Sequence, residues 1–232
     1  MGRKRAISIR TRVLATLLLV ALVAAGYGWW RWVHWVPDRA DYPVQGAQIG
    51  AGDGRLDFRA LAAVGANFVY LDASEGADRR DALFGRNLDN ADQIGMPVGA
   101  VHVFDPCIPA ERQAANFVTT VPRDREMLPP AIALDADAGA CDSTAGDAAV
   151  ESELMTFLNQ VEAHVGQPAI LKLGPDFEDR YGLAAQVERS LWVTGDLREP
   201  GYAGRPFALW TANHALRTEA SERPVRWVVA RR

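Results

Sequence analysis

Most of the chain alternates short apolar runs with longer runs in which apolar residues recur every three or four positions. Short apolar runs bounded by Pro, Gly or polar turns are typical of buried strands, and the longer periodic runs are typical of helices. Up to residue 173 this pattern predicts five strands separated by four helices. The strands are predicted over residues 46–50, 67–74, 97–104, 131–137 and 169–173, and the helices over 58–64, 81–94, 109–121 and 149–165.

After Gly174 the alternation weakens. Residues 190–194, 207–212 and 225–230 each predict a strand, but only residues 177–189 offer helical material, and the later connections are too short for a helix. Strands that alternate with helices run parallel and are joined by right-handed crossovers. The sequence therefore predicts an α/β fold, a TIM-like (β/α)-barrel of about eight strands with helices missing between the last strands.

The first 30 residues join a basic segment to an uncharged apolar run. The run over residues 13–30 is about 18 residues long, the lower limit for a helix that spans a bilayer. Basic residues before it predict a cytoplasmic N-terminus and an exported remainder. We divide the chain into a basic cytoplasmic segment (1–12), a signal anchor or transmembrane helix (13–30), an aromatic interface and linker (31–43) and a barrel domain (44–232).

Two interpretations of this N-terminus stay open. Tryptophan concentrates at membrane interfaces, and several tryptophans lie at the end of the run. They favour a retained single-pass anchor in the inner (cytoplasmic) membrane, with the barrel in the periplasm or outside the cell. The small residues Val23, Ala24 and Ala25 would also pass as the cleavage site of a signal peptide. The tryptophans are Trp29, Trp30, Trp32 and Trp35.

The chain has two cysteines, Cys107 and Cys141, each in a polar loop just after a predicted strand. Both loops fall on the same end of neighbouring strands, and an exported protein meets an oxidising compartment. A disulfide is therefore favoured, and the alternative is two unrelated thiols.

Composition narrows the classes of partner. The formal net charge is -4 and only the N-terminus is strongly basic. Binding to nucleic acid would need a basic face, so nucleic acid is not expected as a partner. The hydrophobic fraction of 49% is enough for one sizeable core. Acidic residues could meet at the barrel mouth, but no ligand spacing marks a metal site, and no cofactor is expected.

The stretch LPPAIALDAD, residues 128–137, carries the candidate chemistry. Its apolar run reads as a buried strand that ends in two carboxylates, Asp135 and Asp137. Residues two apart on a strand point to the same side, so both carboxylates would project together. They would lie at the carboxyl end of the strand, where (β/α)-barrels build their active sites.

Several motifs, in order and spacing, resemble glycoside hydrolase family 25, the Chalaropsis-type lysozymes or N-acetylmuramidases. The resemblance covers roughly residues 44–229. It is carried by GAQIG at Gly46, FVYLDASEG at Phe68, VGAVHVF at Val98, LPPAIALDAD at Leu128 and the pair Leu191-Trp192. The last of the long motifs is similar to the family's Leu-Pro-Pro-x-Leu-Asp-x-Glu strand. The family's barrel also loses its helices near the end.

The resemblance implies cleavage of the β-1,4 bond after N-acetylmuramic acid in peptidoglycan, whose glycan strands would be the partner. By position, Asp137 would be the general acid and Asp135 would orient the substrate's acetamido group. Glycoside cleavage needs a protonated carboxyl at the leaving oxygen and negative charge near the developing oxocarbenium ion. Two carboxylates this close would push one pKa up, which suits an acid held protonated near neutrality.

The sequence departs from the family pattern at several site positions. The family's Glu is Asp137, one methylene shorter, and its first-strand Asp is Gln48. Arg226 stands at the place of an acid on the last strand, and Asp72 stands where the family has Lys. Two family tyrosines correspond to Val101 and to the neighbourhood of Lys172.

The remaining candidates for substrate binding are Gln48, Asp72, Glu75, His102, Trp192 and Trp210. Gln48 could bind a sugar hydroxyl, Asp72 could join an acidic cluster at the mouth, and Glu75 could line the cleft. A histidine on an apolar strand is more often hydrogen-bonded in the core, and strand tryptophans are more often packing residues.

Three functions from different classes follow from these patterns. The first is a membrane-anchored peptidoglycan hydrolase. The second is a catalytically impaired barrel that binds glycan, and the third is an envelope scaffold that acts through its outer surface.

Overall fold

The computed structural model describes residues 9–136, 138–141 and 146–231. Within these ranges the strands follow the predicted order, and the strands predicted over 190–194 and 225–230 have the same bounds in the structure. The strands are β1 (Gln45–Ile49), β2 (Phe68–Glu75), β3 (Arg79–Arg80), β4 (Val98–Val103), β5 (Ala131–Leu134), β6 (Ile170–Leu173), β7 (Ser190–Thr194), β8 (Leu209–Leu216) and β9 (Val225–Ala230).

Helices separate the strands in the first part of the chain. Between β7 and β9 the described residues contain no helix, as the sequence predicts. The helices are α1 (Ile9–Val33), α2 (Phe58–Ala63), α3 (Phe84–Asp92), α4 (Ala110–Thr120), α5 (Asp147–Val165), α6 (Pro175–Tyr181) and α7 (Leu183–Gln186). The helical run predicted over 177–189 divides into α6 and α7 at Gly182, whose φ of 59° ends α6 in the left-handed conformation.

The sheet closes into an eight-stranded barrel, which confirms the predicted fold. The strands follow the order β1-β9-β8-β7-β6-β5-β4-β2, β1 also pairs with β2, and the two-residue β3 is an arm on β2. All neighbouring strands of the barrel are parallel except at β9, which is antiparallel to both β1 and β8. The alternation of strands and helices predicts parallel strands, but among the described residues no helix directly precedes β9, so its reversed direction is a finding of the structure.

Alternate residues along the strands face the inside and the outside of the barrel. The inner residues form their own cluster, in which the rings of Tyr70 and Trp192 meet at 4.9 Å across the barrel from β2 and β7. The outer residues form the larger core against the helices, with Phe117 and Phe157 among the fully buried side chains. Such a barrel is filled with side chains, so a ligand can enter only at its ends.

Where helices are missing, the segment after α1 covers the outside of the barrel. The side-chain amide of Asn213 in β8 donates to the carbonyl oxygens of Trp32 and Trp35, both at 2.9 Å. The backbone N–H of Arg217 donates to the carbonyl oxygen of Val33 at 2.7 Å. The last turn of α1 thus receives its missing hydrogen bonds from the barrel.

Further along, the same segment packs against one tryptophan. The rings of Trp35 and Tyr42 lie 6.3 and 5.5 Å from the ring of Trp210. The Gln45 side chain donates to the carbonyl oxygens of Pro37 and Tyr42, both at 2.9 Å. The residues predicted as interface and linker are therefore held on the barrel surface at several points.

Candidate active site

The carboxyl ends of the parallel strands form one mouth of the barrel, and several polar side chains meet there. Gln48, Asp72 and Lys172 lie in the second halves of β1, β2 and β6. Asp135 follows directly after β5 and is exposed. Its carboxylate lies over Gly174: a Cβ at that position would be 3.1 Å from Oδ1 of Asp135. Asp137 lies outside the described residues.

A continuous chain of hydrogen bonds crosses the mouth. Nζ of Lys172 donates to Oε1 of Gln48 at 2.7 Å, and Nε2 of Gln48 donates to Oδ1 of Asp72 at 2.7 Å. Arg226 donates to Oδ2 of Asp72 at 2.8 Å and to Oδ2 of Asp53 at 3.1 Å. We call these five residues the mouth network. It joins four strands, β6, β1, β2 and β9, and the turn after β1.

The charges of the mouth network affect one another strongly because they are shielded from water. Burial lowers the pKa of Lys172, Asp135 and Asp72 oppose this change, and Arg226 adds to it. Burial also acts to lower the pKa of Arg226, but Asp72 and Asp53 more than offset it, so that this pKa is raised. Arg226 is therefore a permanent cation that is paired with two carboxylates.

Trp192 lies below the mouth network inside the barrel. Nζ of Lys172 is 5.2 Å from the centroid of its ring, a favourable position for a cation over an aromatic face. The indole N–H donates to the hydroxyl of Thr211 at 2.8 Å, and the residue is fully buried. Trp192 is thus a packing residue that supports Lys172, and it presents no surface for a sugar.

Asp72 and Glu75 line a pocket of about 380 Å³ beside the mouth network. The pocket also includes Ser74, Arg79 and Asp81. The Glu75 carboxylate is partly exposed and forms an ion pair with Arg79. Of the predicted substrate-binding residues, Gln48, Asp72 and Glu75 are therefore the ones that the structure gathers near the mouth.

The other two predicted substrate-binding residues lie elsewhere. His102 is fully buried on the outer side of β4, where Nδ1 shares a hydrogen bond of 2.8 Å with Oγ of Ser74 and the ring lies 4.7 Å from Phe157. Trp210 is buried under the segment after α1, and its indole N–H donates to the carbonyl oxygen of Gly195 at 2.7 Å. Both side chains face away from the barrel interior, so neither contacts a sugar at the mouth of this structure.

Cys107 and Cys141 form the predicted disulfide. It joins the loop after β4 to the short turn that follows Asp135, and it closes a loop over a sequence separation of 34 residues. A loop of that length corresponds to about 3–4 kcal/mol of stabilisation through the unfolded state. Among the described residues, no group of three or more His, Cys, Asp or Glu side chains is arranged to hold a metal ion.

Three members of the mouth network, Lys172, Arg226 and Asp53, were not predicted as site residues. Lys172 and Arg226 stand out in the sequence only as departures from the family pattern. Asp53 carries no signal of that kind, because it lies in a Gly-rich turn that is typical of any loop. Only closure of the barrel brings Asp53 and Arg226 together.

Fold and site together define a (β/α)-barrel protein with carboxylates and paired cations at the mouth. The family model "Glycosyl hydrolases family 25" matches residues 48–214, more than half of the chain, and the chain belongs to this family of glycoside hydrolases. The structure of a family 25 glycosyl hydrolase from Bacillus anthracis is 27% identical, with a TM-score of 0.75 over 85% of this chain and 92% of its own.

Other similar proteins agree in fold. A bacterial lysozyme from Streptomyces coelicolor is 20% identical over 80% of this chain and 90% of its own, with a TM-score of 0.70. The Escherichia coli K12 protein YegX, described as uncharacterized, is 23% identical over 80% of this chain and 69% of its own length.

His102 makes the stability of the barrel depend on pH. Burial lowers its pKa from 6.5 to about 4, although the hydrogen bond to Gln113 opposes this change. Below pH 6.5, His102 binds a proton in the unfolded chain but stays neutral in the folded chain. Stability that is present above this pH is therefore lost as the pH falls towards 4. Between pH 7 and pH 5, the wild type should lose about 2 kcal/mol more free energy of unfolding than His102→Gln.

The measurement is urea-induced unfolding of the full chain in mild detergent, followed by tryptophan fluorescence at both pH values. His214→Gln, a change of an exposed histidine, is the matched control and should keep the wild-type loss. An equal loss in wild type and His102→Gln would contradict the assignment.

Proposed function

We propose that the protein is a membrane-anchored glycoside hydrolase that cleaves the β-1,4 bond after N-acetylmuramic acid in peptidoglycan. The observation that carries the proposal is the family 25 barrel with a carboxylate, Asp135, exposed at the end of β5. Several structures similar to this chain are those of lysozymes or muramidases, among them the bacterial lysozyme from Streptomyces coelicolor.

In this proposal Asp137 donates a proton to the glycosidic oxygen and Asp135 orients the acetamido group of the substrate. The acetamido oxygen can then assist departure of the leaving sugar, and the negative charge of Asp135 stabilises the developing oxocarbenium ion. Asp135 has the exposure that such a contact needs.

The condition of the mouth network supports a working site over a decayed one. Gln48 and Arg226 replace acids of the family pattern, and loss of an acid from a buried site would leave its former partners without hydrogen bonds. Here Gln48 and Arg226, the residues that stand in place of those acids, each have hydrogen-bond partners within 3.1 Å. Among the described residues, no buried side-chain nitrogen or oxygen lacks a hydrogen-bond partner.

The membrane anchor is α1, a helix of 25 residues whose central part is apolar and uncharged. By length and composition it is long enough to cross a bilayer, because a helix of 25 residues extends about 37 Å. Its apolar side chains are exposed along the helix, and its last turn is bound to β8 through Asn213. The barrel would then lie at the outer surface of the inner membrane.

We expect the full chain to remain in the membrane pellet after alkaline carbonate extraction. An α1 that spans the bilayer resists this treatment, because extraction would expose its apolar surface to water. Release into the supernatant, together with an N-terminus that begins near Gly26, would contradict the anchor and would favour the cleaved signal peptide.

A glycan-binding protein without hydrolytic activity is the second candidate. The observation in its favour is that Asp72, a carboxylate at the mouth, is already bound by Arg226 and Gln48. Both oxygens of this carboxylate accept hydrogen bonds within the mouth network, so Asp72 is not free to contact the glycosidic oxygen of a substrate. Catalysis would then depend on Asp137 alone, whose side chain is one methylene shorter than that of the family's Glu.

The two candidates differ in the release of reducing ends from purified sacculi. We expect the full chain in mild detergent to release them, Asp137→Asn to be slower by about 100-fold, and Asp137→Glu to keep or exceed the wild-type rate. The loss in Asp137→Asn follows from removal of the proton donor. Asp89→Asn is the matched control, because this exposed carboxylate on α3 pairs with Arg125 away from the mouth.

Sedimentation with sacculi separates the remaining outcomes. A wild type that binds sacculi but releases no reducing ends, with no gain in Asp137→Glu, would contradict the hydrolase and support the binding protein. Neither binding nor release would leave the envelope scaffold.

A further inference from the structure

Lysine is rare in this sequence, and residues 44–232 contain a single lysine, Lys172. Of the 25 basic residues only Lys4 and Lys172 are lysines, and arginine serves everywhere else. Lys172 is 7% exposed and points into the barrel from β6. A buried ammonium group is costly unless the surrounding groups compensate its charge, so its neighbours indicate what it does.

The ammonium group is fixed from two sides. It donates to Oε1 of Gln48 at 2.7 Å and lies 5.2 Å from the ring centroid of Trp192. The indole of Trp192 is in turn held by Thr211. The flexible side chain of Lys172 is thereby confined to one position at the mouth end of the barrel.

Gln48 suits this arrangement because an amide accepts and donates at once. It accepts from Lys172 through Oε1 and donates to Asp72 through Nε2. An aspartate or glutamate at this position could accept from Lys172, but it would set a second negative charge against Asp72. An apolar side chain would leave Lys172 without its acceptor in the mouth network and Asp72 without one of its two donors.

Gln48 carries no charge, so the charge of Lys172 must be compensated by other groups. Asp72 shares its charge with Arg226, which itself repels Lys172. Lys172 pairs with Ala133 across β5 and β6, and Asp135 lies two residues further along towards the mouth. The charge of Asp135 opposes the effect of burial, which lowers the pKa of Lys172. Leu134 and Leu173 are paired neighbours in β5 and β6, and the Asp135 carboxylate lies against Gly174 directly beyond that pair.

We propose that Lys172 is a positioning residue for Asp135: the fixed ammonium group holds the Asp135 carboxylate over the end of β6, where it meets the substrate. The catalytic meaning of this electrostatic coupling rests on the proposed function. The electrostatic coupling between the two side chains does not, and it can be measured without any substrate.

The coupling is read from the titration of Lys172 itself. Full-length protein in detergent micelles, labelled with ¹³C at lysine Cε, gives two lysine signals, and Lys4→Arg assigns them. Removing an opposite charge disfavours the ammonium form, so the pKa of Lys172 in Asp135→Asn should fall by at least about 0.5. Asp135 is exposed, so this substitution leaves the core intact.

Asp89→Asn is the matched control for this titration, because Asp89 is an exposed carboxylate that does not act on Lys172. It should leave the titration of Lys172 at the wild-type value. An Asp135→Asn protein in which Lys172 titrates as it does in the wild type would overturn the proposal.

Activity on sacculi gives the second readout. Lys172→Met should lower kcat by about 10- to 100-fold and leave KM within about twofold, since a misplaced catalytic group slows the chemical step. Lys172→Arg keeps the charge and should lose less activity than Lys172→Met. Equal kcat in wild type and Lys172→Met would overturn the positioning role.

The two proposals fail separately. A wild type that is inactive on sacculi contradicts the hydrolase, while a shifted titration of Lys172 in Asp135→Asn would still support the coupling. An active wild type with an unshifted titration would retain the hydrolase and overturn the role of Lys172.

Discussion

The side-chain amide of Gln48 is the link on which the mouth of the barrel depends. β1 closes the barrel between β2 and β9, and its inward residue near the mouth bonds to a side chain of β2 and to a side chain of β6 across the interior. A buried ammonium group and a partly buried carboxylate lie on either side of it, and one amide bonds to both. Through Asp72 the same link reaches Arg226 and Asp53, so five side chains hold one arrangement.

The residues that depart from the family pattern lie next to one another in the structure, which changes how the departures are interpreted. Read singly, Gln48, Asp72, Lys172 and Arg226 each suggest loss of a family residue. In the structure they are consecutive members of one hydrogen-bonded chain with alternating donors and acceptors. Charge pairs that are partly shielded from water add little net stability, because the cost of desolvation offsets their attraction. The mouth is therefore rebuilt around new charges, and Asp135 remains exposed beside it.

The fold could be predicted well and the site only in part, for physical reasons. The strands correspond to local apolar runs, so the predicted ranges of β7 and β9 agree with the structure. The reversed direction of β9 depends on closure of the barrel, which no local run predicts. The register of each strand in the barrel decides which of its side chains face inward and which face outward. Trp192 therefore lies inside and Trp210 outside, although both have the same local sequence character. The hydrogen bond from Asn213 to the carbonyl oxygen of Trp32 joins residues that are far apart in the chain, and no local sequence pattern predicts it.

A double-mutant cycle on Gln48 and Lys172 tests most directly whether the mouth network acts as one unit. The free energy of unfolding of the full chain in detergent would be measured for the wild type, Gln48→Leu, Lys172→Met and the double variant. Each single change leaves a buried partner unpaired, and the double change removes both groups. We expect the double variant to lose at least about 1 kcal/mol less than the sum of the single losses. Losses that add to within about 0.5 kcal/mol would contradict a coupled network and would reduce it to separate contacts.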